Sequence, residues 1–289
     1  MAFLGNPAVT SAVIEKYGIR AQKKYGQNFL IDENILKKIA DASGVTKEDL
    51  VLEIGPGIGT LTQILCEKAG VVVAVEIDKK LIPVLEDTLS EYDNVKIVNA
   101  DILKCDLDAL IEEYGNYERI KVVANLPYYI TTPVLMRILE SDLPLSSVTV
   151  MIQKEVADRI KAGPSTKDYG SLSLAVQYYS RPSIAAEVSP SCFIPRPGVG
   201  SVVLHLSMYD EKPVKTKDPE LMFALIRGSF NQRRKTLVNG LKNYAGLDYS
   251  KEEIEEAIER LGKKPAVRGE ELTLEEFAGL ADILGSIRF

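Results

Sequence analysis

The segment Val51-Leu-Glu53-Ile-Gly55-Pro-Gly57-Ile-Gly59-Thr60 decides the fold. It sets a glycine-rich turn between an apolar strand and a helix, where a bare backbone lets a ligand approach closely. The glycines are spaced G-x-G-x-G with Glu53 ahead of them, not G-x-G-x-x-G as in a dehydrogenase, and no Arg or Lys stands by to receive a pyrophosphate. A nucleotide-like cofactor is implied.

Outward from this turn, short β-branched runs alternate with helical stretches. Leu50–Ile54, Val71–Ile77, Val95–Asn99, Ile120–Asn125, Val148–Ile152 and Val202–Leu206 are expected as strands, several apolar on both faces as buried parallel strands are. The pattern is α/β around a largely parallel sheet. Glu76 follows Gly57 by nineteen residues and ends the run from Val71, where a doubly wound fold places a carboxylate to accept from both ribose hydroxyls. Asp101 closes the next strand end and can accept from a cofactor adenine amine. Gly55, Glu76 and Asp101 thus stand at successive strand ends of one sheet, where ligands of open α/β sheets collect.

Asp32 is expected to cap a helix holding Ile35, Leu36 and Ile39, and Thr132-Pro133 to start another. After Tyr209 a polar linker, Asp210 to Lys217, carries Pro213, and no strand pattern follows. Asp218-Pro219, the capping box Ser250-x-x-Glu253 and Thr273-x-x-Glu276 open helices there. The expected division is residues 1–210 as the α/β domain and 211–289 as a small all-helical domain.

With 46% hydrophobic and 26% charged residues, the chain can bury a sizeable core. Three cysteines without C-x-x-C spacing argue against a disulfide framework and a zinc site. No basic and apolar leader opens the chain, and no apolar stretch approaches about eighteen residues. A cytoplasmic protein with no membrane anchor and no metal is expected, and nothing demands more than a monomer. The net charge of −6 sits uneasily with nucleic-acid binding, but its distribution is uneven. Arg20, Lys23 and Lys24 cluster early, and Arg227 to Lys242 holds Arg233, Arg234 and Lys235 without an acidic residue, whereas five glutamates crowd Glu252 to Glu259.

The fourth strand ends in Asn125-Leu126-Pro127-Tyr128. An adenine amine is a poor nucleophile because its lone pair is delocalised into the ring. Attack on a sulfonium methyl requires a tetrahedral nitrogen, favoured if the Asn125 side-chain oxygen and the Leu126 carbonyl, fixed by rigid Pro127, hold its two protons. Tyr128 would stack on the extruded base, worth roughly 1–3 kcal/mol against the few kcal/mol that unstacking costs. The lone histidine, His205, has no Ser or Cys partner at a recognisable spacing and is not expected to act.

The tetrad and the glycine turn together resemble the ribosomal RNA adenine dimethyltransferase family. Gln27-Asn28-Phe29-Leu30 is similar to its pre-sheet cofactor motif, Phe193-Ile-Pro195-Arg-Pro197-Gly-Val199-Gly-Ser201 to its F-x-P-x-P-x-V-x-S segment, and Phe230 to Leu237 to its basic stretch. The resemblance implies a Rossmann-like methyltransferase sheet with helices on both faces. It also implies that Asn28, Leu30, Gly55, Glu76, Asp101 and Asn125 contact S-adenosylmethionine and that Phe193, mounted on a proline-stiffened loop, closes over the target base opposite Tyr128. Lys23, Lys24, Arg233, Arg234 and Lys235 would meet RNA. The implied reaction gives dimethyladenosine at two adjacent adenines near the 3′ end of 16S ribosomal RNA, in a partly assembled 30S subunit. Three alternatives stay open: a large-subunit adenine methyltransferase of the antibiotic-resistance type, a ribosome-assembly binding factor, and a small-molecule methyltransferase.

Overall fold

The computed structural model describes residues 3–19, 22, 26–114, 117 and 119–287. The chain opens with α1 (Pro7–Lys16), β1 (Phe29–Leu30), α2 (Glu33–Ser43), β2 (Leu50–Ile54), α3 (Thr60–Lys68), β3 (Val71–Glu76), α4 (Ile82–Thr88), β4 (Val95–Asn99), α5 (Leu107–Glu112) and β5 (Ile120–Asn125). It continues with α6 (Thr131–Leu139), β6 (Leu145–Gln153), α7 (Lys154–Lys161), α8 (Ser171–Tyr179), β7 (Ser180–Val188), β8 (Phe193–Ile194) and β9 (Ser201–Met208). Four helices follow: α9 (Pro219–Asn231), α10 (Leu237–Lys242), α11 (Lys251–Arg260) and α12 (Leu274–Ile287).

The main sheet has the order β4-β3-β2-β5-β6-β9-β7. Strands β2, β3, β4, β5 and β6 run parallel, and β9 returns antiparallel to β6. All of β2 is buried, as are all but the last residue of β5, so their Val, Leu and Ile side chains are covered on both faces. The strand order turns between β2 and β5, which puts the ends of Ile54 and Asn125 side by side at a topological switch point, the usual ligand crevice of such sheets. Helices α2, α3 and α4 pack against the sheet.

The expected starts of α2, α9 and α11 are observed: Asp32, Asp218 and Ser250 each accept a backbone N–H of the first turn. Thr273 and Glu276 also exchange the two bonds of a capping box. Thr132 does not cap α6. A turn of 3-10 helix over Tyr128–Ile130 leads straight into it, and Thr131 donates to the Pro127 carbonyl at 3.2 Å, so Pro133 falls inside the first turn.

Two compact units divide the described chain: residues 1–157 with 181–208, and residues 158–180 with 209–289. A contiguous cut at 210 therefore misplaces α8, whose Leu172, Leu174, Ala175 and Val176 are buried. Within the second unit Tyr179 stacks on Phe223 at 5.5 Å, Tyr169 meets Phe230 edge-on at 5.9 Å, and the Tyr169 hydroxyl donates to the Leu272 carbonyl at 2.9 Å. The aromatics that α8 and its preceding loop carry have their partners beyond residue 209, which is why the unit is built from two stretches of chain.

Candidate active site

A cleft of about 980 Å³, its open mouth included, lies at the carboxyl ends of β2, β3, β4 and β5 in the first unit. Gly55 (φ 69°) and Gly57 (φ 64°) turn the chain out of β2 in the left-handed region, where a side chain is strained whatever the space. A Cβ on Gly57 would also touch the Phe29 ring at 3.4 Å. Glu76 closes the floor, buried, with Oε2 accepting from Gly57 N at 3.2 Å and Oε1 from Asp78 N at 2.8 Å. A carboxylate has about four lone-pair sites, so Glu76 keeps acceptor capacity beyond these bonds. Burial pushes the Glu76 pKa up despite these bonds. Asp101 lines the cleft with Oδ1 accepting from Leu103 N at 3.0 Å and Oδ2 3.7 Å from Lys104.

Glu53 is the most buried carboxyl lining the cleft. Its Oε2 has no hydrogen-bond partner, and burial raises its pKa to about 8, with the nearby Glu76 charge adding to the rise.

The segment Gly26 to Leu30 knits the cleft together. Its β1 pairs antiparallel with β8, Leu30 opposite Phe193. Gln27 and Gln22 both donate to Oδ2 of buried Asp78, at 3.1 and 2.5 Å, tying the segment to the loop that follows Glu76. The Asn28 side chain is turned back on the Gly26 carbonyl at 3.0 Å, while its own carbonyl accepts from Asn125 Nδ2 at 3.3 Å. With its nitrogen toward the Asn28 carbonyl, the Asn125 amide is assigned with Oδ1 as the remaining acceptor.

Beyond Asn125, the Leu126 N–H is occupied by the Met151 carbonyl at 3.2 Å. Half-buried Tyr128 shares a 2.7 Å hydrogen bond with Ser201, at the start of β9. The tetrad and the last residue of the F-x-P-x-P-x-V-x-S segment therefore meet. Burial raises the Tyr128 pKa, so its hydroxyl remains protonated. His205 lies in β9 with Nδ1 2.8 Å from the Thr149 hydroxyl, outside the cleft lining.

A family model for ribosomal RNA adenine dimethylase matches residues 18–279. The chain belongs to that family. It is 60% identical to a ribosomal RNA small subunit methyltransferase A from Lachnoclostridium phytofermentans over 98% of both chains. It is 48% identical to the protein of the same name from Geobacillus thermodenitrificans over 97% of both. A crystal structure of a dimethyladenosine transferase from Plasmodium falciparum, 24% identical, superposes with a TM-score of 0.69, covering 87% of this chain and 95% of that one. The 23S rRNA methyltransferase ErmE, 25% identical, gives 0.62 over 89% and 100%.

In this adenine dimethylase chain, every residue expected at the cofactor, Asn28, Leu30, Gly55, Glu76, Asp101 and Asn125, lines this cleft, as do Leu126, Pro127, Tyr128 and Phe193. Phe193 is not the exposed aromatic the sequence suggested. It is 1% exposed and packed in the core with Leu30, Leu36 and Val203, because β8 is drawn against β1. Arg233 is not a free cation either: it bonds Glu270 at 3.2 Å and the Lys167 carbonyl at 2.9 Å within the second unit. Arg234 and Lys235 are exposed in the same unit, and Lys23 and Lys24 lie outside the described residues. The sequence missed Ile77, 39% exposed at the cleft, Ile102 and Tyr129. Ile77 and Ile102 each directly follow a singled-out carboxylate, and an apolar residue placed just past a strand end was the available signal.

Proposed function

We propose that this chain transfers methyl groups from S-adenosylmethionine to the exocyclic amines of two adjacent adenines near the 3′ end of small-subunit ribosomal RNA, giving dimethyladenosine. The observation that carries this is the Asn125 amide, anchored through its nitrogen on the Asn28 carbonyl, so that Oδ1 is the atom left to accept from a substrate amine. The name shared by its 48–60% identical relatives favours the small subunit over the large.

The residues present fit the cofactor. Gly55 and Gly57 keep the backbone bare, Glu76 retains acceptor capacity for a diol, exposed Ile77 offers an apolar surface to a purine ring, and Glu53 Oε2 is a buried polar atom without a partner. Asn28, Leu30 and Asp101 complete the enclosure. S-adenosylmethionine supplies a methyl on a sulfonium, an electrophile that needs no metal to activate it.

The chain's own groups make the amine competent. Asn125 Oδ1 and the Leu126 carbonyl accept its two protons and favour a tetrahedral nitrogen with an available lone pair. Pro127 holds the carbonyl in place, and Tyr128, steadied by Ser201, stacks on the base. Phe193 serves as wall behind the site. Rate enhancement comes from positioning and preorganised polar groups. The amine becomes acidic as it is alkylated, so its proton passes to water without a strong base. Arg234 and Lys235 are the described cations of the basic stretch available to RNA phosphates. We assign the partly assembled 30S subunit as substrate, a monomer as the acting form, and the cytoplasm as its place; no helix among the described residues is long and apolar enough to cross a membrane.

The test is incubation with radiolabelled S-adenosylmethionine and small subunits from cells lacking such an enzyme, followed by nucleoside analysis. Labelled dimethyladenosine is expected. Label confined to large-subunit RNA, or no label at all, would overturn the assignment.

A further inference from the structure

We propose that Tyr129 forms a second nucleobase subsite at the mouth of the cleft, where it stacks on the base next to the extruded adenine. The inference rests on the adenine-methylating function above and concerns how RNA, not cofactor, is held.

Among the described residues, four aromatic side chains line the cleft: Phe29, Tyr128, Tyr129 and Phe193. Phe29 and Phe193 are buried, and Tyr128 is half-buried with its hydroxyl committed to Ser201. Tyr129 is 53% exposed, the most exposed of these four. Its mount is firm. It sits in the 3-10 turn that follows Pro127, whose carbonyl accepts from Ile130 N and from the Thr131 hydroxyl, both at 3.2 Å. Its ring also lies close against Gly26, where an added Cβ would stand 3.1 Å from Tyr129 Cδ1 at a left-handed backbone (φ 56°). A ring mounted on a fixed turn and packed beside Gly26 has fewer orientations to give up when a base stacks on it, which lowers the entropy cost of binding.

The chemistry of extrusion supplies the ligand. When one base leaves the stack for the tetrad, its neighbour loses a stacking partner, and an aromatic ring one residue from the tetrad can replace it. Stacking of this kind tolerates any base, but with two adjacent adenines the neighbour is the other target. Tyr129 then steadies the second adenine while the first is methylated.

The experiment compares wild type with Tyr129→Ala on small subunits whose RNA is completed by ligating a synthetic 3′ fragment. The fragment is intact, or abasic at the position 5′ or 3′ of a target adenine. Wild type on intact RNA is read first; its failure to methylate would remove the proposed function itself, separately from the subsite. Given activity, Tyr129→Ala is expected to raise the half-saturating RNA concentration about tenfold, the size of losing one base–aromatic stack, with cofactor affinity unchanged by dialysis. On RNA abasic at one flank, wild type is expected to fall to the level of the variant and the variant to lose nothing more. Tyr129→Phe, which keeps the ring, is expected to behave as wild type. An equal penalty on all three RNAs, no penalty on intact RNA, or a failure of Phe to substitute overturns the subsite.

Discussion

Replacing Asn125 by Ala removes one hydrogen bond from the fold and one acceptor from the chemistry, and the two losses differ in size. The structural bond, Asn125 Nδ2 to the Asn28 carbonyl, is 3.3 Å long, just past the usual 2.7–3.2 Å, and its atoms are only part-buried. Its loss costs no more than about 1 kcal/mol of stability. The catalytic loss is of the kind seen when one preorganised polar partner is deleted from a transition state, roughly 3–4 kcal/mol or 10²–10³ in turnover. Single-turnover methylation at saturating cofactor and RNA isolates that step. The expected outcome is a rate at least about 100-fold below wild type, with urea unfolding nearly unchanged and only a modest loss of cofactor affinity. A rate within tenfold of wild type would show that Oδ1 does not hold the amine, and a rate loss matched by unfolding would show that the residue is structural.

Three further substitutions probe other parts of the first unit. Asp78→Ala removes the acceptor shared by Gln22 and Gln27 while keeping the Asp78 N–H that steadies Glu76, so cofactor should bind at least about tenfold more weakly, the low end for losing one hydrogen bond to a charged group; unchanged affinity in a cofactor titration would refute the tether. Lys121→Met leaves Asp49, fully buried and 3.0 Å from the Lys121 amine, without its nearest cation. Urea unfolding should show a loss near the low end of ~3–5 kcal/mol, because Arg119 stands 3.6 Å away and Thr46 also donates to Asp49, with turnover per folded molecule unchanged. Glu53 has a folded pKa raised to about 8 from 4.5, so the folded chain holds a proton the unfolded chain releases. Its contribution to stability is full below about pH 4.5 and is lost as pH rises through 8. Glu53→Gln should flatten the decline in denaturation midpoint between pH 5.5 and 8.5; an undiminished slope would assign that decline elsewhere.

The glycine turn and carboxylates that line the cleft were legible because they are local. Strand ends, a turn that only glycine adopts easily and a carboxylate at the next strand end are written in consecutive residues, and Gly55, Glu76 and Asp101 line one cleft. What was missed depends on residues far apart. β7 carries Pro182 and mostly exposed positions, tolerable only because it is the edge strand, so it lacks the apolar run that marked the others. β1 and β8 are two residues each and exist through their pairing, which is also what buries Phe193. Arg233 belongs to a basic run by composition, but Glu270, thirty-seven residues on, claims it. The acidic balance is likewise partly internal: Glu255 and Glu256 of α11 pair with Lys251 and Arg260 on their own helix.

The second unit's division between residues 158–180 and 209–289 has a consequence for how the chain comes into being. During synthesis α8 leaves the ribosome before any of its partners in α9 or α12 exist, and Leu172, Tyr169 and Tyr178 wait uncovered while β7 and β9 are being made. Stopping translation at Met208 would release a completed main sheet together with apolar α8, which would lack its α9 and α12 partners. Such a fragment is expected to aggregate, so neither half of this protein can be obtained by a single cut.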